Sequence, residues 1–142
     1  MAIRKAEAVW HGSLQDGTGK MRFGGGAFEG NFSFQSRFEE GPGTNPEELI
    51  GAAEAGCFSM ALSADLGRAG FKPRRVQTKA QVYLEKVDGK FTITRIHLDT
   101  EAEVPEIDEE TFLKTAEGTR TGCPVARALT GVEITLNAKL VS

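Results

Sequence analysis

Apolar and polar positions alternate in several separate stretches of the chain. Ile3 to Trp10 reads as a short strand, followed by a Gly-rich stretch, Gly12 to Gly26, with turns and room for another strand. Phe28, Phe32, Phe34 and Phe38 share one parity, which predicts a half-buried strand over 28–38 with Arg37 on the opposite face. Val76, Thr78, Ala80, Val82 and Leu84 alternate with polar residues along 75–87, and Phe91 and Ile93 do so along 90–104. Asp88-Gly89 between these arms is a type I′ hairpin signal. Val132, Ile134, Leu136, Ala138 and Leu140 mark one face of a closing strand.

The remaining segments carry helix signals. After a turn at Glu39–Gly43, Asn45 is placed to cap a helix and Pro46 suits its first position. Glu47 and Glu48 complement the positive helix end. Glu48, three residues after Asn45, has the spacing of a capping box. The helix is predicted to run to about Ala69, with Gly70 as its stop. Its Gly51, Ala52, Ala53, Ala55, Gly56, Ala61 and Ala64 keep to no single face, which predicts a helix buried nearly all round. Asp108 caps a second helix bearing Phe112, Leu113 and Ala116. Gly122 interrupts it, and Pro124 opens a short further helix through Leu129. The order of elements, with no internal repeat and no linker, predicts one α+β domain over residues 1–142 with mainly antiparallel pairing.

Composition narrows the class. Hydrophobic residues at 39% and charged residues at 26% suit a folded chain rather than a disordered one. A net charge of −3 lacks the basic excess of a nucleic-acid binder. No apolar run approaches the roughly 20 residues that span a bilayer, and no apolar stretch follows the N-terminal charges as in a signal peptide. A cytoplasmic location is therefore expected, without a nucleic-acid or membrane partner. In that compartment a cysteine pair is more often catalytic, redox-active or metal-binding than a structural disulfide.

The chain has two cysteines, Cys57 and Cys123. A cysteine attacks as thiolate, with a free pKa of about 8.5. Cys123, just before Pro124, is expected at a helix N-cap, where free N–H groups favour negative charge. Cys57 lies in a small, apolar helix interior that disfavours the thiolate. It needs a cation, and Arg37 is the best candidate, with Glu47 or Glu48 as the acid that holds the arginine. Taken singly, each residue has a plain structural explanation: a buried small hydrophobe, a loop-to-helix joint, a dipole-complementing acid, a solvated arginine.

The combination resembles the OsmC/Ohr family of thiol peroxidases. The resemblance rests on Ser36-Arg37-Phe38-Glu39, on Gly43-Thr44-Asn45-Pro46-Glu47-Glu48-Leu49-Ile50-Gly51-Ala52-Ala53, on Cys57-Phe58-Ser59-Met60-Ala61-Leu62 and on Gly122-Cys123-Pro124-Val125. Ile107-Asp108 and Glu133-Ile134-Thr135-Leu136 extend it over essentially the whole chain, and the placing of Arg37 is similar to the OsmC branch. It implies antiparallel sheets wrapped around a long central helix in an intertwined homodimer. It also implies reduction of organic hydroperoxides, and less readily of hydrogen peroxide, without metal, haem or flavin. Cys57 would be the peroxidatic nucleophile and Cys123 the resolving cysteine, closing a Cys57–Cys123 disulfide. Arg37 would stabilise the thiolate and Glu47 would orient Arg37. A dithiol would recycle the disulfide, and the Ohr branch suggests a lipoyl protein. Glu54 and Gly56 stand where relatives often carry other small or polar residues.

Spacing adds a constraint. Ten residues of one helix rise about 15 Å, too far for Glu47 and Cys57 to share one arginine. Either the helix breaks near Gly51, or Arg37 and Glu47 meet a Cys57 of another chain at a homodimer interface.

Other readings are weaker. His11 and His97 have no ligand spacing with the cysteines, so a metal site is not expected. Gly24-Gly25-Gly26 precedes no helix and is expected to be a turn rather than a phosphate cradle. The rival of another class is a non-enzymatic lipid- or hydroperoxide-binding module, or a thiol sensor, with Phe23, Phe28, Phe32, Phe34 and Phe38 lining a pocket. The same phenylalanines at the sheet suggest a preference for bulky, apolar peroxides.

Overall fold

The alternating N-terminal stretches form a three-stranded antiparallel sheet of β1 (Ala6–His11), β2 (Thr18–Phe23) and β3 (Phe28–Phe32), paired in chain order. These belong to the first of two compact units, Met1–Leu49, the second beginning at Ile50. The computed structural model describes residues 1–141. Gly24–Gly26 form a tight turn with φ of 64°, 65° and 96°, a conformation suited to glycine. The phenylalanines pack in pairs rather than as a common core: Trp10 meets Phe32, Phe23 stacks on Phe28, and Phe28 remains exposed.

The strand predicted over 28–38 ends at Phe32. Residues Phe34–Phe38 are a short helix, α1, because two serines cap it reciprocally. The Ser33 hydroxyl accepts from the Ser36 N–H at 3.1 Å, and the Ser36 hydroxyl oxygen accepts from the Ser33 N–H at 2.8 Å. Local side-chain capping overrides the alternation. Arg37 therefore sits on a helix, not on a strand.

The long helix α2 (Pro46–Arg68) is continuous, so the break considered near Gly51 does not occur. The Asn45 carboxamide oxygen accepts from the Glu48 N–H at 2.8 Å. The Glu48 side chain accepts from the Thr44 hydroxyl instead of closing a reciprocal box. At the other end Gly70 takes φ 96°. Phe71 N–H reaches the Leu66 carbonyl and Gly70 N–H the Gly67 carbonyl, the paired bonds of a Schellman stop.

α2 is not buried all round. Gly51, Glu54, Phe58, Leu62 and Leu66 form its buried face. Ala52, Ala53, Gly56, Met60, Ser63, Ala64 and Gly67 are exposed, Met60 at 78%. Small residues on both faces hid this division, since they give little amphipathic contrast. By length and composition α2 is also apolar enough to cross a membrane, which revises the expectation that no run approaches a span. Phe58, Leu62 and Leu66 nevertheless lie fully within the protein core.

In the second unit β4 (Arg75–Val87) and β5 (Lys90–Glu103) pair antiparallel through the expected turn, with Asp88 and Gly89 at φ 52° and 77°. Phe91 is exposed, unlike the half-buried Ile93. Helices α3 (Glu109–Gly122) and α4 (Pro124–Ala128) follow, and β6 (Glu133–Val141) closes the sheet. β6 runs parallel to β5, so this sheet is mixed rather than antiparallel throughout. The core joins Phe58, Leu62 and Leu66 of α2 to Ile96, Leu98 and Ala102 of β5 and Phe112 and Ala116 of α3. A chain of hydroxyls fixes α2 on the sheet: Ser59 donates to Thr78 at 2.8 Å, and Thr78 and Thr100 are 2.9 Å apart. Gly51 lets α2 come close to β4, since a Cβ there would stand 3.0 Å from a Val82 methyl.

Candidate active site

Two clusters hold the residues singled out in the sequence. The first is an ion pair in the N-terminal unit. Arg37 donates from Nε to Glu47 Oε1 at 2.8 Å and from Nη2 to Oε2 at 3.0 Å, a bidentate fork. The Glu47 side chain is 9% exposed and that of Arg37 36%, so the carboxylate is the anchor and the guanidinium keeps an open side. Of the two acids at the start of α2, Glu47 takes the arginine, while Glu48 is held by Thr44 and by the Asn45 cap. The fork is braced from behind. Ser36 donates to the Thr44 carbonyl at 2.7 Å and the Asn45 side-chain amide to the Ser36 carbonyl at 3.0 Å, tying α1 to the first turn of α2.

The second cluster lies in the other unit, where α2 meets the α3–α4 joint. Cys57 and Cys123, distant in sequence, meet at the first turn of α4, where their sulfurs face the successive N–H groups of Val125 and Ala126, and both are free thiols. Cys123 is the N-cap of α4, as expected, and its sulfur accepts from the Ala126 N–H at 3.4 Å. The expected activation does not follow. Cys123 is fully buried, and desolvation pushes its pKa up to about 12, with Cys57 and Glu54 adding to the rise against the opposing Ala126 N–H. Cys57 is half-buried, and its sulfur accepts from the Val125 N–H at 3.5 Å.

Glu54 completes this cluster, and sequence reasoning passed over it. The residue is fully buried, and the Cys123 thiol donates to its carboxyl oxygens at 3.6 and 3.8 Å. Among the described residues it forms no ion pair. Burial raises its pKa above the usual carboxylate range, against a lowering from the Cys123 hydrogen bond. A signal was available: Glu54 is a lone acid among small apolar residues, three positions before Cys57 and so on the same helix face. The Val125 N–H, a backbone group, had no sequence signal.

The other candidates lie elsewhere. His97 contacts Thr135 at 2.6 Å and Asp99 at 3.4 Å on the sheet, and His11 is an exposed strand end. Among the described residues no three His, Cys, Asp or Glu side chains group as a metal site. Of the arginines that flank Cys123 in sequence, Arg120 is engaged by Glu117 and the Ile134 carbonyl, and Arg127 is exposed. Phe32 borders an open groove of about 570 Å³ with Val9, His11, Lys20 and Pro42, whereas Phe34 packs on Phe38.

A buried and a half-buried thiol at one helix start, with a carboxyl at one sulfur, are equipped for reversible thiol–disulfide chemistry. Residues 39–137 match the family described as OsmC-like protein. The chain is 47% identical over 140 residues to the protein named Peroxiredoxin OsmC of Escherichia coli (strain K12), covering 98% of this chain and 97% of that one. The fold is shared with the crystal structure of the Organic Hydroperoxide Resistance Protein OhrB of Bacillus subtilis, with a TM-score of 0.74 at 24% identity. That match covers 97% of this chain and 100% of the other. It is shared equally with an OsmC-like protein from Mycoplasma pneumoniae, with a TM-score of 0.76 at 15% identity over 99% of each chain. By the match over residues 39–137 and the near-full-length relative, the chain belongs to the OsmC-like protein family.

Proposed function

We propose that this chain is a thiol-dependent peroxidase in which Cys57 attacks the terminal oxygen of an organic hydroperoxide. The observation that supports this most strongly is the convergence of Cys57 and Cys123 on the first turn of α4, both as free thiols. Attack releases an alcohol and leaves Cys57 as a sulfenic acid. Cys123 then condenses with it, water leaves, and a dithiol reduces the resulting disulfide by exchange. The Val125 N–H supports a thiolate at Cys57. Arg37, held by Glu47, supplies the cation that stabilises this thiolate and polarises the peroxide. Apolar hydroperoxides are the preferred substrates and hydrogen peroxide a poorer one.

The cation comes from a second copy of the chain. The motivation is the unbroken α2: ten residues of helix between Glu47 and Cys57 rise about 15 Å, and a homodimer would offer each Cys57 the Arg37 of a second copy. The whole chain then acts as one OsmC-like domain, at work in the cytoplasm.

Steady-state removal of cumene hydroperoxide with a dithiol tests the chemistry. Cys57→Ser is expected to abolish turnover, and Cys123→Ser to stall as sulfenic acid. A parent protein oxidised once without turnover would favour a sensor instead. Co-expression of Arg37→Ala with Cys57→Ser chains tests the shared site. Mixed dimers keep one complete site if the arginine acts across chains. Mixed dimers without activity, or a fully active monomer by light scattering, would exclude the shared site.

A further inference from the structure

The thiol that must resolve the sulfenic acid is poorly suited to do so unaided. With burial pushing its pKa up to about 12, Cys123 is held as the thiol at neutral pH. The Ala126 N–H can stabilise the negative sulfur but cannot accept its proton. The acceptor in place is Glu54, with both carboxyl oxygens at the Cys123 sulfur. Its position three residues before Cys57 sets it on the helix face that carries the peroxidatic sulfur. Burying a carboxyl without a cation costs stability, and an amide or apolar side chain would fill the space more cheaply.

We infer that Glu54 is the proton carrier of the resolving step: its carboxylate takes the proton from the Cys123 thiol as the sulfur attacks the Cys57 sulfenic acid, and passes it to the departing hydroxide. The inference rests on the reading of Cys57 and Cys123 as peroxidatic and resolving thiols. The S–H bond of Cys123 and the S–O bond of Cys57 break, the S–S bond forms, and water leaves. Cys123 sulfur is oxidised and Cys57 sulfur reduced, so no further reactant is needed, and Glu54 ends as it began. A carboxyl raised toward working pH is a better base than an ordinary one.

The titratable groups facing the Cys123 sulfur are Glu54 and Cys57, both from α2. Asp65 is engaged by Thr119 and Arg68, and Arg120 by Glu117. The pH profile of closure therefore reports on this cluster.

The test compares the parent with Glu54→Gln and Glu54→Asp in the full chain. Disulfide closure is followed by rapid mixing with two oxidants, cumene hydroperoxide and diamide, while dimedone traps Cys57 sulfenic acid in the peroxide arm. In Glu54→Gln the ratio of closure rate to sulfenic-acid formation is expected to fall roughly 100-fold, and trapped sulfenic acid to accumulate. Its closure rate should climb about tenfold per pH unit, as direct thiolate formation requires, where the parent profile is flatter. Glu54→Asp, which keeps the carboxyl, should recover part of the rate and the parental profile shape. Parental closure in Glu54→Gln with both oxidants overturns the assignment. So does slowed closure with an unchanged profile, which marks a packing role. If the parent ignores peroxide yet diamide closure is slowed in Glu54→Gln with the steeper profile, the peroxidase reading falls and the proton carrier stands.

Discussion

Two acids of one helix meet opposite fates. Glu47, in the first turn of α2, is nearly buried and is matched by a bidentate arginine. Glu54, two turns on, is buried completely and, among the described residues, is matched only by a thiol. At the first, charge meets charge, and the fork sets the direction of the guanidinium. At the second, no cation offsets desolvation, and the carboxyl is drawn toward its neutral form. Burial by itself therefore does not assign a role to a carboxylate. The partner decides whether it anchors a cation or handles a proton.

Removing the arginine should break the comparison most severely. Arg37→Ala leaves the Glu47 carboxylate nearly buried without its partner, at a cost of about 2 kcal/mol in stability. Peroxide turnover should fall by roughly 100-fold or more, and diamide closure by less, since it needs the Cys57 thiolate but no polarised peroxide. Turnover retained above a tenth of the parental value would remove Arg37 from the mechanism. Arg37→Lys should recover little, because an ammonium cannot reproduce the fork.

The other acid should show itself in the pH dependence of stability. The folded Glu54 carboxyl keeps its proton to higher pH than the unfolded value of 4.5. The stabilising contribution of this protonated group is complete below that value and is lost as pH rises through the raised folded pKa. Glu54→Gln has no such titration. Thermal melts of both proteins from about pH 4 to 8 should show the parent losing stability relative to the variant as pH rises. Parallel curves would mean that the buried carboxyl does not titrate differently on folding.

Asn45→Ala should have the smallest effect and sharpens the first half of the comparison. It removes the cap of α2 and the bond to the Ser36 carbonyl, for about 1 kcal/mol. Because that bond ties α1 to α2, a modest fall in peroxide turnover should accompany the lower melting temperature. A melting temperature unchanged within error would show that Thr44 and Ser36 hold the joint without it.

The sequence by itself determined whatever is settled by neighbours along the chain. Asp88-Gly89 sets a two-residue turn, Asn45-Pro46 starts α2, Gly70 stops it, and Asp108 caps α3, because each acts on backbone groups within a few residues. The cysteines, Arg37 and Glu47 likewise stood out in the sequence as candidates, through local motifs and their order. Even local signals can conflict, as at residues 33–38, where the Ser33–Ser36 cap defeated an alternation that pointed to a strand. Tertiary structure alone decided which face of α2 is buried, since a helix of small residues leaves the choice to whatever packs on it. It decided the parallel run of β6, because strand direction depends on the path of the intervening helices. It also decided the character of Cys123. An N-cap lowers a thiol's pKa over one helical turn, but desolvation beside Glu54 and Cys57 raises it further, and that burial comes from segments far apart in the chain.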